Sequence, residues 1–365
     1  MKINRQQMIS TEPAWINYMH AKGAKLGLPV AGNFELTGRC NFGCKMCYVH
    51  NSDGSDELTD DQWIEIGRQA VENGMLFLLL TGGEPFIRKD FKRIYTELKK
   101  MGLIISINTN GSLIDDEIFE YLVENPPFRM NVSLYGSSNE TYMRLCGKPV
   151  YETVSQNIIR LHEAGISIKI NASITPYNAS DIEQLYSFAE QLGVPLKAST
   201  YMFPPVRVNG CKYGEAWHRF TADEAAEYML KCQEQYLTPE KLADSYEEIV
   251  FEDEDCCNEE NHIRCRAGTT AFWVTWDGRM LPCGMFPVEG FRLSEFGFEE
   301  SWKGVQKFSK NILLPEECGR CSHKKRCPSC AAACLAETGK TDVKPEYICN
   351  MMNELNRITA NKYKC

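Results

Sequence analysis

Six short β-rich runs, each followed by an amphipathic helical segment, constrain this chain more than any other feature. The runs occupy 33–37, 75–80, 103–108, 129–134, 167–174 and 195–200. Successive β–α units predict a parallel sheet that is wrapped by helices and curved like a barrel. Six units make three quarters of an eightfold barrel, so we expect a partly open, TIM-like (β/α)6 barrel of the α/β class. In such folds the chemistry sits where the strands end.

Helix-capping signals support the helical segments between these runs. Thr59 is followed three positions later by Gln62, which is the pattern of a capping box, and Gly74 follows the predicted end of that helix. The same spacing of Ser180 and Glu183 predicts a second capping box. We therefore expect each helix to begin just after the Thr or Ser.

The alternation stops after about residue 200, which divides the chain. The following segment is helical and then strongly acidic, and we interpret it as a solvated face or a flexible bridge. From Cys265 onward the chain is rich in cysteine, so we predict a separate domain that is stabilised by bound metal. The predicted divisions are an N-terminal extension at 1–32, the barrel at 33–200, the bridge at 201–264 and the cysteine-rich domain at 265–365.

Composition limits the partners and the compartment. The net charge of −9 argues against nucleic acid as a partner. The first fifteen residues lack the apolar stretch of a signal peptide, and the longest apolar run, MLFLLL at 75–80, is too short to cross a bilayer. We therefore expect a cytoplasmic protein without a membrane partner. In a reducing compartment, the 17 cysteines favour metal binding over disulfides.

The first cysteine group directly follows the first predicted strand, in the stretch LTGRCNFGCKMCYVH at 36–50. Cys40, Cys44 and Cys47 have the spacing C-x3-C-x2-C. Structural zinc sites and most electron-transfer iron–sulfur clusters take four protein ligands, whereas three thiolates leave one metal position open for a reactant. A zinc knuckle is the alternative interpretation of these three cysteines.

This loop resembles the hallmark of the radical SAM superfamily, C-x3-C-x-φ-C after the first strand of a partial barrel. The resemblance implies a 4Fe–4S cluster on Cys40, Cys44 and Cys47. It also implies that S-adenosylmethionine (SAM) chelates the open iron and is cleaved after transfer of one electron. One position departs from the pattern, because the residue before the last cysteine is usually aromatic and is Met46 here, with Tyr48 just beyond. We expect Met46 and Tyr48 to pack on the adenine.

Further signatures of the superfamily occur where later strands end, and the resemblance implies that they contact SAM. TGGEP follows the second strand, NTNGS follows the third, and NVSLYG ends the fourth. The matching residues are Gly82, Gly83, Glu84, Asn110, Ser133 and Arg144. Arg144 is expected to pair with the SAM carboxylate through a charge-assisted hydrogen bond. The alternatives for Ser133 and Arg144 are a strand-end hydroxyl and a surface ion pair.

The C-terminal cysteines resemble the SPASM domain, whose pattern is C-x(9–15)-G-x4-C, then C-x2-C-x5-C-x3-C, then C. The resemblance implies two auxiliary 4Fe–4S clusters, which makes three clusters per chain. Auxiliary cluster II is expected on Cys318, Cys321, Cys327 and Cys349, and auxiliary cluster I on Cys265, Cys283, Cys330 and Cys257.

Two ligands of auxiliary cluster I depart from the family pattern. The family position for one of them is Ala331 here, so we choose Cys330, with Cys334 as the alternative. Cys256 is the alternative to Cys257 for the upstream ligand. An open iron in auxiliary cluster I, and one or two zinc ions in place of the clusters, are further possibilities.

These resemblances imply an enzyme that abstracts a hydrogen atom from a ribosomally made peptide and forms a thioether, ether or carbon–carbon crosslink. The expected partners are a peptide substrate with a leader sequence and an external one-electron donor such as flavodoxin or ferredoxin. Alternatives are a sulfatase-maturing enzyme that forms formylglycine, a peptide epimerase, and a non-catalytic iron–sulfur scaffold or redox sensor.

One position weighs against the sulfatase-maturing alternative. In that family an Asp directly after the Gly-x4-Cys cysteine serves as general base. Here Cys283 is followed by Gly284, which has no side chain to accept a proton. The nearby Asp277 lies in a WDG sequence, and we expect it to shape a turn.

Overall fold

The computed structural model describes most of the chain, in seven stretches. They are 13–49, 54–208, 211–245, 262–263, 265–286, 288–324 and 326–363. Cys256 and Cys257, two candidate ligands, lie outside the described residues, as does most of the acidic part of the predicted bridge.

Six parallel strands form the barrel, and three more strands extend the same sheet. The strands are β1 (Ala31–Glu35), β2 (Phe77–Thr81), β3 (Ile104–Thr109), β4 (Arg129–Ser133), β5 (Ile168–Ser173), β6 (Leu196–Ser199), β7 (Ala271–Val274), β8 (Arg279–Leu281) and β9 (Phe291–Arg292). Their order is β6-β5-β4-β3-β2-β1-β7-β8-β9. The predicted α/β class and the parallel sheet of six β–α units are confirmed.

Helices cover the outside of this sheet and build much of the C-terminal region. They are α1 (Ala14–Leu26), α2 (Asp60–Glu72), α3 (Phe91–Lys100), α4 (Asp116–Glu124), α5 (Asn139–Cys146), α6 (Tyr151–Glu163), α7 (Ile182–Leu192), α8 (Ala222–Glu234), α9 (Pro239–Ser245), α10 (Leu293–Lys310), α11 (Glu316–Gly319), α12 (Ala331–Thr338) and α13 (Glu346–Tyr363). Among the helices that the structure describes, none is long and apolar enough to cross a bilayer.

Alternation along the barrel strands separates an apolar face from a polar one. Ile107 of β3, Val132 of β4 and Ile170 of β5 are fully buried in the core shared with the helices. Each such side chain contributes ~1.5–3 kcal/mol by its removal from water. The residues between them are only partly buried, and at the carboxyl ends of the strands many are Asn or Ser. Because successive side chains point to opposite faces, these polar residues share the inner face of the barrel.

The C-terminal part of the chain joins the barrel through its first strand. β7 pairs in parallel with β1, with Phe34 opposite Val274, and β8 and β9 add to it in antiparallel pairs. Helix α13 packs against α8. The cysteine-rich pattern predicts a separate domain here, whereas the structure shows one continuous sheet. The exact domain boundaries stay a prediction.

One of the two predicted capping boxes forms. Thr59 accepts a hydrogen bond from the Gln62 backbone N–H, and the Gln62 side chain accepts one from the Thr59 N–H. The box predicted for Ser180 and Glu183 is wrong, because α7 begins at Ile182 after a 3-10 turn at Ala179–Asp181. The preceding Asn178 explains this: its side-chain oxygen accepts the Thr175 N–H and its amide donates to two carbonyls, which holds the chain in a turn.

Candidate functional site

A cavity of about 370 Å³ opens where the barrel strands end. All three cysteines of the first group, Cys40, Cys44 and Cys47, line it. The polar residues of the inner barrel face line it as well, namely Asn108, Asn131, Ser133, Asn171, Ser173 and Ser199. The strand alternation therefore gives one space that is thiol-lined on one side and lined by amides and hydroxyls on the other.

The loop that carries the three cysteines, which we call the cysteine loop (residues 36–49), is held on both sides by backbone hydrogen bonds. On one side, Gly83 N–H donates to the Thr37 carbonyl at 2.8 Å, and Glu84 N–H donates to the Arg39 carbonyl at 2.9 Å. On the other side, Gly43 N–H donates to the Cys146 carbonyl at the end of α5 at 3.0 Å. Backbone hydrogen bonds from two different parts of the barrel thereby position the loop.

Glycine is required at 82 and 83 by this close packing. A Cβ atom on Gly83 would lie 2.2 Å from the Arg39 carbonyl oxygen, and one on Gly82 would lie 2.6 Å from the Thr37 oxygen. Gly82 also has a φ of 155°, in the region that favours glycine. Both glycines line the cavity, so they also leave a ligand close access to the backbone.

The pKa of each of the three thiols is raised in the folded chain. Burial raises the pKa of Cys40 to about 12 and that of Cys47 to about 11. The pKa of Cys44 is raised first by a hydrogen bond with the buried thiol of Cys146 and then by burial. A metal ion binds thiolate, so loading this site must displace protons from all three groups.

The environment of Cys40 suits an iron–sulfur cluster. Its sulfur accepts the Phe42 N–H at 3.4 Å and lies 3.8 Å from the Asn110 side-chain nitrogen. Hydrogen bonds to cysteine sulfur are among the features that tune such clusters. Within the described residues, no three His, Cys, Asp or Glu side chains are placed to hold a single metal ion. A 4Fe–4S cluster bonds each thiolate to a different iron, so its ligands need not meet at one point.

Four of the predicted SAM contacts besides the glycines line this cavity. They are Met46, Tyr48, Asn110 and Ser133. Asn110 is further held by Asn41, whose side-chain oxygen accepts its amide N–H at 2.8 Å.

Glu84 does not line the cavity, because its carboxylate points into the protein. It is fully buried and accepts hydrogen bonds from Phe86 N–H, Thr109 Oγ1 and Asn110 N–H. Burial nevertheless outweighs these bonds and raises its pKa to about 7. In this structure the hydrogen bonds of Glu84 link the end of β2 to the end of β3.

Arg144 also lies outside the cavity lining. Its side chain is exposed on α5, where Nη2 donates to Thr141 Oγ1 at 3.5 Å. Its helix is nevertheless tied to the cysteine loop, because Lys45 N–H donates to the neighbouring Leu145 carbonyl at 3.0 Å.

A buried ion pair that sequence reasoning missed borders the same region. Arg207, after β6, bonds Glu35 at the end of β1 at 2.8 Å, and both side chains are nearly inaccessible to water. Its guanidinium lies 5.8 Å from the centre of the Tyr48 ring. The partners are far apart in the sequence, so no local pattern could have shown this pair.

A second, smaller cavity of about 300 Å³ adjoins the first. The two share Cys44, Met46 and Cys47 of the cysteine loop, together with Met202 and Phe203 after β6. The smaller cavity continues to Cys211, Trp217 and His218. Tyr177 Oη lies 2.9 Å from His218 Nδ1, and burial lowers the pKa of that imidazole.

The C-terminal cysteines line a cavity of about 600 Å³. Its thiols are those of Cys265, Cys318, Cys321, Cys327, Cys330, Cys334 and Cys349. Cys283 is not among them, although its thiol is close enough to Cys330 and Cys265 to feel their charge. The structure thus places every described cysteine predicted for the two auxiliary sites, except Cys283, on one cavity, and both Cys330 and Cys334 line it.

Comparison of the sequence with known families gives a match over the barrel. The family model described as the Radical SAM superfamily matches residues 34–189. The AdoMet-dependent heme synthase of Methanosarcina barkeri is 29% identical over 322 residues, covering 84% of this chain and 92% of that protein. The probable GTP 3',8-cyclase of Sulfurisphaera tokodaii is 32% identical over 162 residues, covering 44% of this chain and 51% of that protein.

Solved structures share the fold over nearly the whole chain. Streptococcus suis SuiB bound to S-adenosylmethionine has a TM-score of 0.65 at 20% identity, covering 92% of this chain and 81% of SuiB. SuiB has also been crystallised with its precursor peptide SuiA. Native anSMEcpe with bound AdoMet has a TM-score of 0.68 at 17% identity, covering 92% of this chain and 98% of that chain.

Proposed function

We propose that this chain, whose residues 34–189 match the model of the Radical SAM superfamily, is a peptide-modifying member of that superfamily, which forms a thioether, ether or carbon–carbon crosslink in a ribosomally made peptide. One observation carries the proposal: two thiol-lined cavities lie in a fold that is shared, over more than nine tenths of the chain, with an enzyme crystallised on its precursor peptide.

In this proposal Cys40, Cys44 and Cys47 hold a 4Fe–4S cluster. When bound, that cluster supplies the electron for cleavage of SAM, which gives a radical able to take a hydrogen atom from the substrate. The chain's own residues position the reactants. Asn110 and Ser133 present an amide and a hydroxyl to SAM from the ends of β3 and β4.

The C-terminal cavity holds the auxiliary clusters in this proposal. Cys318, Cys321, Cys327 and Cys349 bind one of them, and Cys265, Cys283 and Cys330 bind the other together with a ligand outside the described residues. Their role is to accept an electron, or to position the peptide, as the new bond forms. A small electron-transfer protein such as flavodoxin or ferredoxin supplies the reducing electron.

We propose that the peptide reaches the radical through the smaller cavity, because it shares a wall with the SAM cavity and continues away from it. Met46, Met202 and Phe203 form part of that wall. Methionine side chains repack readily, which suits a passage that must accommodate a substrate side chain.

The geometry around Asp277 weighs against formation of formylglycine. Its carboxylate accepts the Thr275 hydroxyl at 2.6 Å and pairs with Arg279 Nε at 2.7 Å. Both contacts close the turn between β7 and β8, so this acid is engaged in the turn. Gly284 supplies no base beside Cys283.

A second candidate function follows from the relative of greatest coverage among those described above. The heme synthase of Methanosarcina barkeri spans 84% of this chain at 29% identity. A haem precursor would then be the substrate in place of a peptide. The polar inner face of the barrel and the adjoining cavity are compatible with either class.

The test is co-expression of the chain with each small open reading frame that neighbours its gene, followed by mass spectrometry of the peptides. Loss of two hydrogen atoms from one peptide is expected, and the Cys40→Ala/Cys44→Ala/Cys47→Ala variant should leave that peptide unchanged.

A new haem species with no altered peptide would favour the second candidate. Conversion of a C-x-P-x-R peptide to an aldehyde would favour a sulfatase-maturing enzyme. Uptake of deuterium from solvent, without any other change in the mass of the peptide, would favour an epimerase. Absence of SAM cleavage on reduction would favour a non-catalytic scaffold or redox sensor.

A further inference from the structure

The buried cation Arg207 connects the cysteine loop to the segment that carries Cys283. We propose that Arg207 is a positioning residue, which fixes these two parts against each other and provides the positive charge that sets the reduction potential of the cluster at Cys283. This inference rests on the proposed function, since it requires an iron–sulfur cluster on Cys265, Cys283 and Cys330.

Arg207 bonds two separate parts of the fold and lies near two aromatic rings. Its two terminal nitrogens lie 2.8 and 3.2 Å from the Glu35 carboxylate at the end of β1. One of them donates to the Gly284 carbonyl, next to Cys283, at 2.7 Å. The guanidinium also lies 5.8 Å from the ring centre of Tyr48, next to Cys47, and 5.6 Å from that of Trp276.

This arrangement uses the planar fork of an arginine. A guanidinium can pair with both carboxylate oxygens and still donate to a carbonyl, whereas a lysine ammonium is a point charge without that fixed geometry. The segment after β6 that carries Arg207 lacks regular secondary structure. Its position therefore depends on side-chain contacts such as these.

The two charges of the pair are placed unequally with respect to the segment that carries Cys283. Arg207 donates to the Gly284 carbonyl of that segment at 2.7 Å, whereas no hydrogen bond joins Glu35 to it among the described residues. The positive member of the pair is therefore the one that lies directly against the Cys283 site. A positive charge near a cluster favours its reduced form.

The experiment removes both charges together. Replacing Arg207 alone would leave the buried Glu35 unpaired, which is strongly destabilising, whereas replacing both members by neutral residues is often tolerated. We therefore compare the wild-type protein with Glu35→Gln/Arg207→Met, each reconstituted anaerobically. Redox titration followed by electron paramagnetic resonance measures the midpoint potential of each cluster. A Cys40→Ala/Cys44→Ala/Cys47→Ala background assigns the signals of the C-terminal clusters.

The expected result is full iron content in the double variant, a lower midpoint potential for the cluster at Cys283, and little change for the cluster at Cys318 and Cys349. Arg207→Lys, which keeps the charge, should restore most of that potential while weakening the contact to Gly284. An unchanged potential at Cys283, with iron content intact, would overturn the inference and leave the proposed function standing. Absence of iron at Cys265, Cys283 and Cys330 in the wild-type protein would instead refute the auxiliary cluster and, with it, the inference.

Discussion

At the scale of single residues, Glu84 shows how burial and hydrogen bonding oppose each other at a strand end. Three donors stabilise its ionised form, yet full burial raises its pKa from an ordinary value of 4.5 to about 7. In the unfolded chain the carboxyl regains its ordinary pKa. Between these two values the folded state holds a proton that the unfolded state has lost, so stability falls as the pH rises through this interval.

We predict that Glu84→Gln removes this pH dependence. The side chain keeps its shape and one of its two acceptor oxygens but cannot ionise. In the wild-type protein the free energy of unfolding should fall by ~3 kcal/mol between about pH 4.5 and about pH 7 because of Glu84. Urea unfolding of both proteins across this range measures the difference. Parallel curves for the two proteins would show that the carboxyl ionises as it does in water.

We also predict that Arg144→Ala weakens SAM binding. The family pattern assigns this arginine to the SAM carboxylate, and among the described residues no carboxylate lies within ion-pair distance of it. A charge-assisted hydrogen bond is worth ~1.5–3 kcal/mol, so the affinity should fall about ten- to a hundredfold. Isothermal titration calorimetry on the reconstituted protein measures the affinity for SAM. Arg160→Ala, which removes a partly exposed arginine paired with Asp116, is the control. If both variants bind SAM like the wild type, Arg144 is a surface residue.

Residues whose chemistry is encoded by local spacing could be predicted, and residues whose role depends on distant partners could not. Cys40, Cys44 and Cys47 lie within eight positions, and the structure places all three on one cavity. Arg207 and Glu35 come together only because β1 and the segment after β6 meet in the folded chain. Glu84 was recognised as part of a family signature, but its inward orientation is a consequence of tertiary hydrogen bonds.

At the scale of elements, the strands were predictable because each one buries a run of apolar side chains on one face. The positions at which the helices begin were less predictable. Thr59 caps α2 as its spacing predicts, whereas the equivalent spacing at Ser180 is overridden by the turn that Asn178 holds. A capping pattern specifies a helix start only where no stronger local hydrogen bond competes for the backbone.

This difference gives a paired prediction. Thr59→Ala should lower the free energy of unfolding by ~1 kcal/mol, because it leaves a helix N–H without its acceptor. Ser180→Ala should cost much less, since the Ser180 hydroxyl bonds the Asp181 side chain and not the helix backbone. Denaturant unfolding of the two variants side by side provides the measurement. Equal losses would contradict the assignment of the two helix starts.

At the scale of the whole molecule, the sequence predicted two units of different character, and the structure joins them through one sheet. Periodicity identified the barrel because each β–α unit repeats the same pattern. The pairing of β7 with β1 left no such signal, because it depends on a strand of only four residues far along the chain. The cysteine spacing nevertheless located the C-terminal cavity.

We predict about twelve irons per chain after anaerobic reconstitution, as three clusters of four. Changing Cys40, Cys44 and Cys47 together to Ala should remove about four of them and abolish cleavage of SAM. Iron and sulfide analysis measures the first effect, and chromatography of 5′-deoxyadenosine the second. About four irons in the wild-type protein, accompanied by stoichiometric zinc, would contradict the auxiliary clusters.

The pairing of β1 with β7 also orders events during synthesis. Ala31 emerges from the ribosome about 240 residues before its partner Ala271. At ~5–20 residues per second, the strand that leads into Cys40 waits roughly 10–50 s with one edge uncovered. The strand before the cysteine loop therefore gains its second neighbour late, when most of the chain has been made, whereas the partners that hold the loop itself, residues 83, 84 and 146, are made much earlier. Iron delivered to the three cysteines in this interval meets a sheet whose β1 edge is still open.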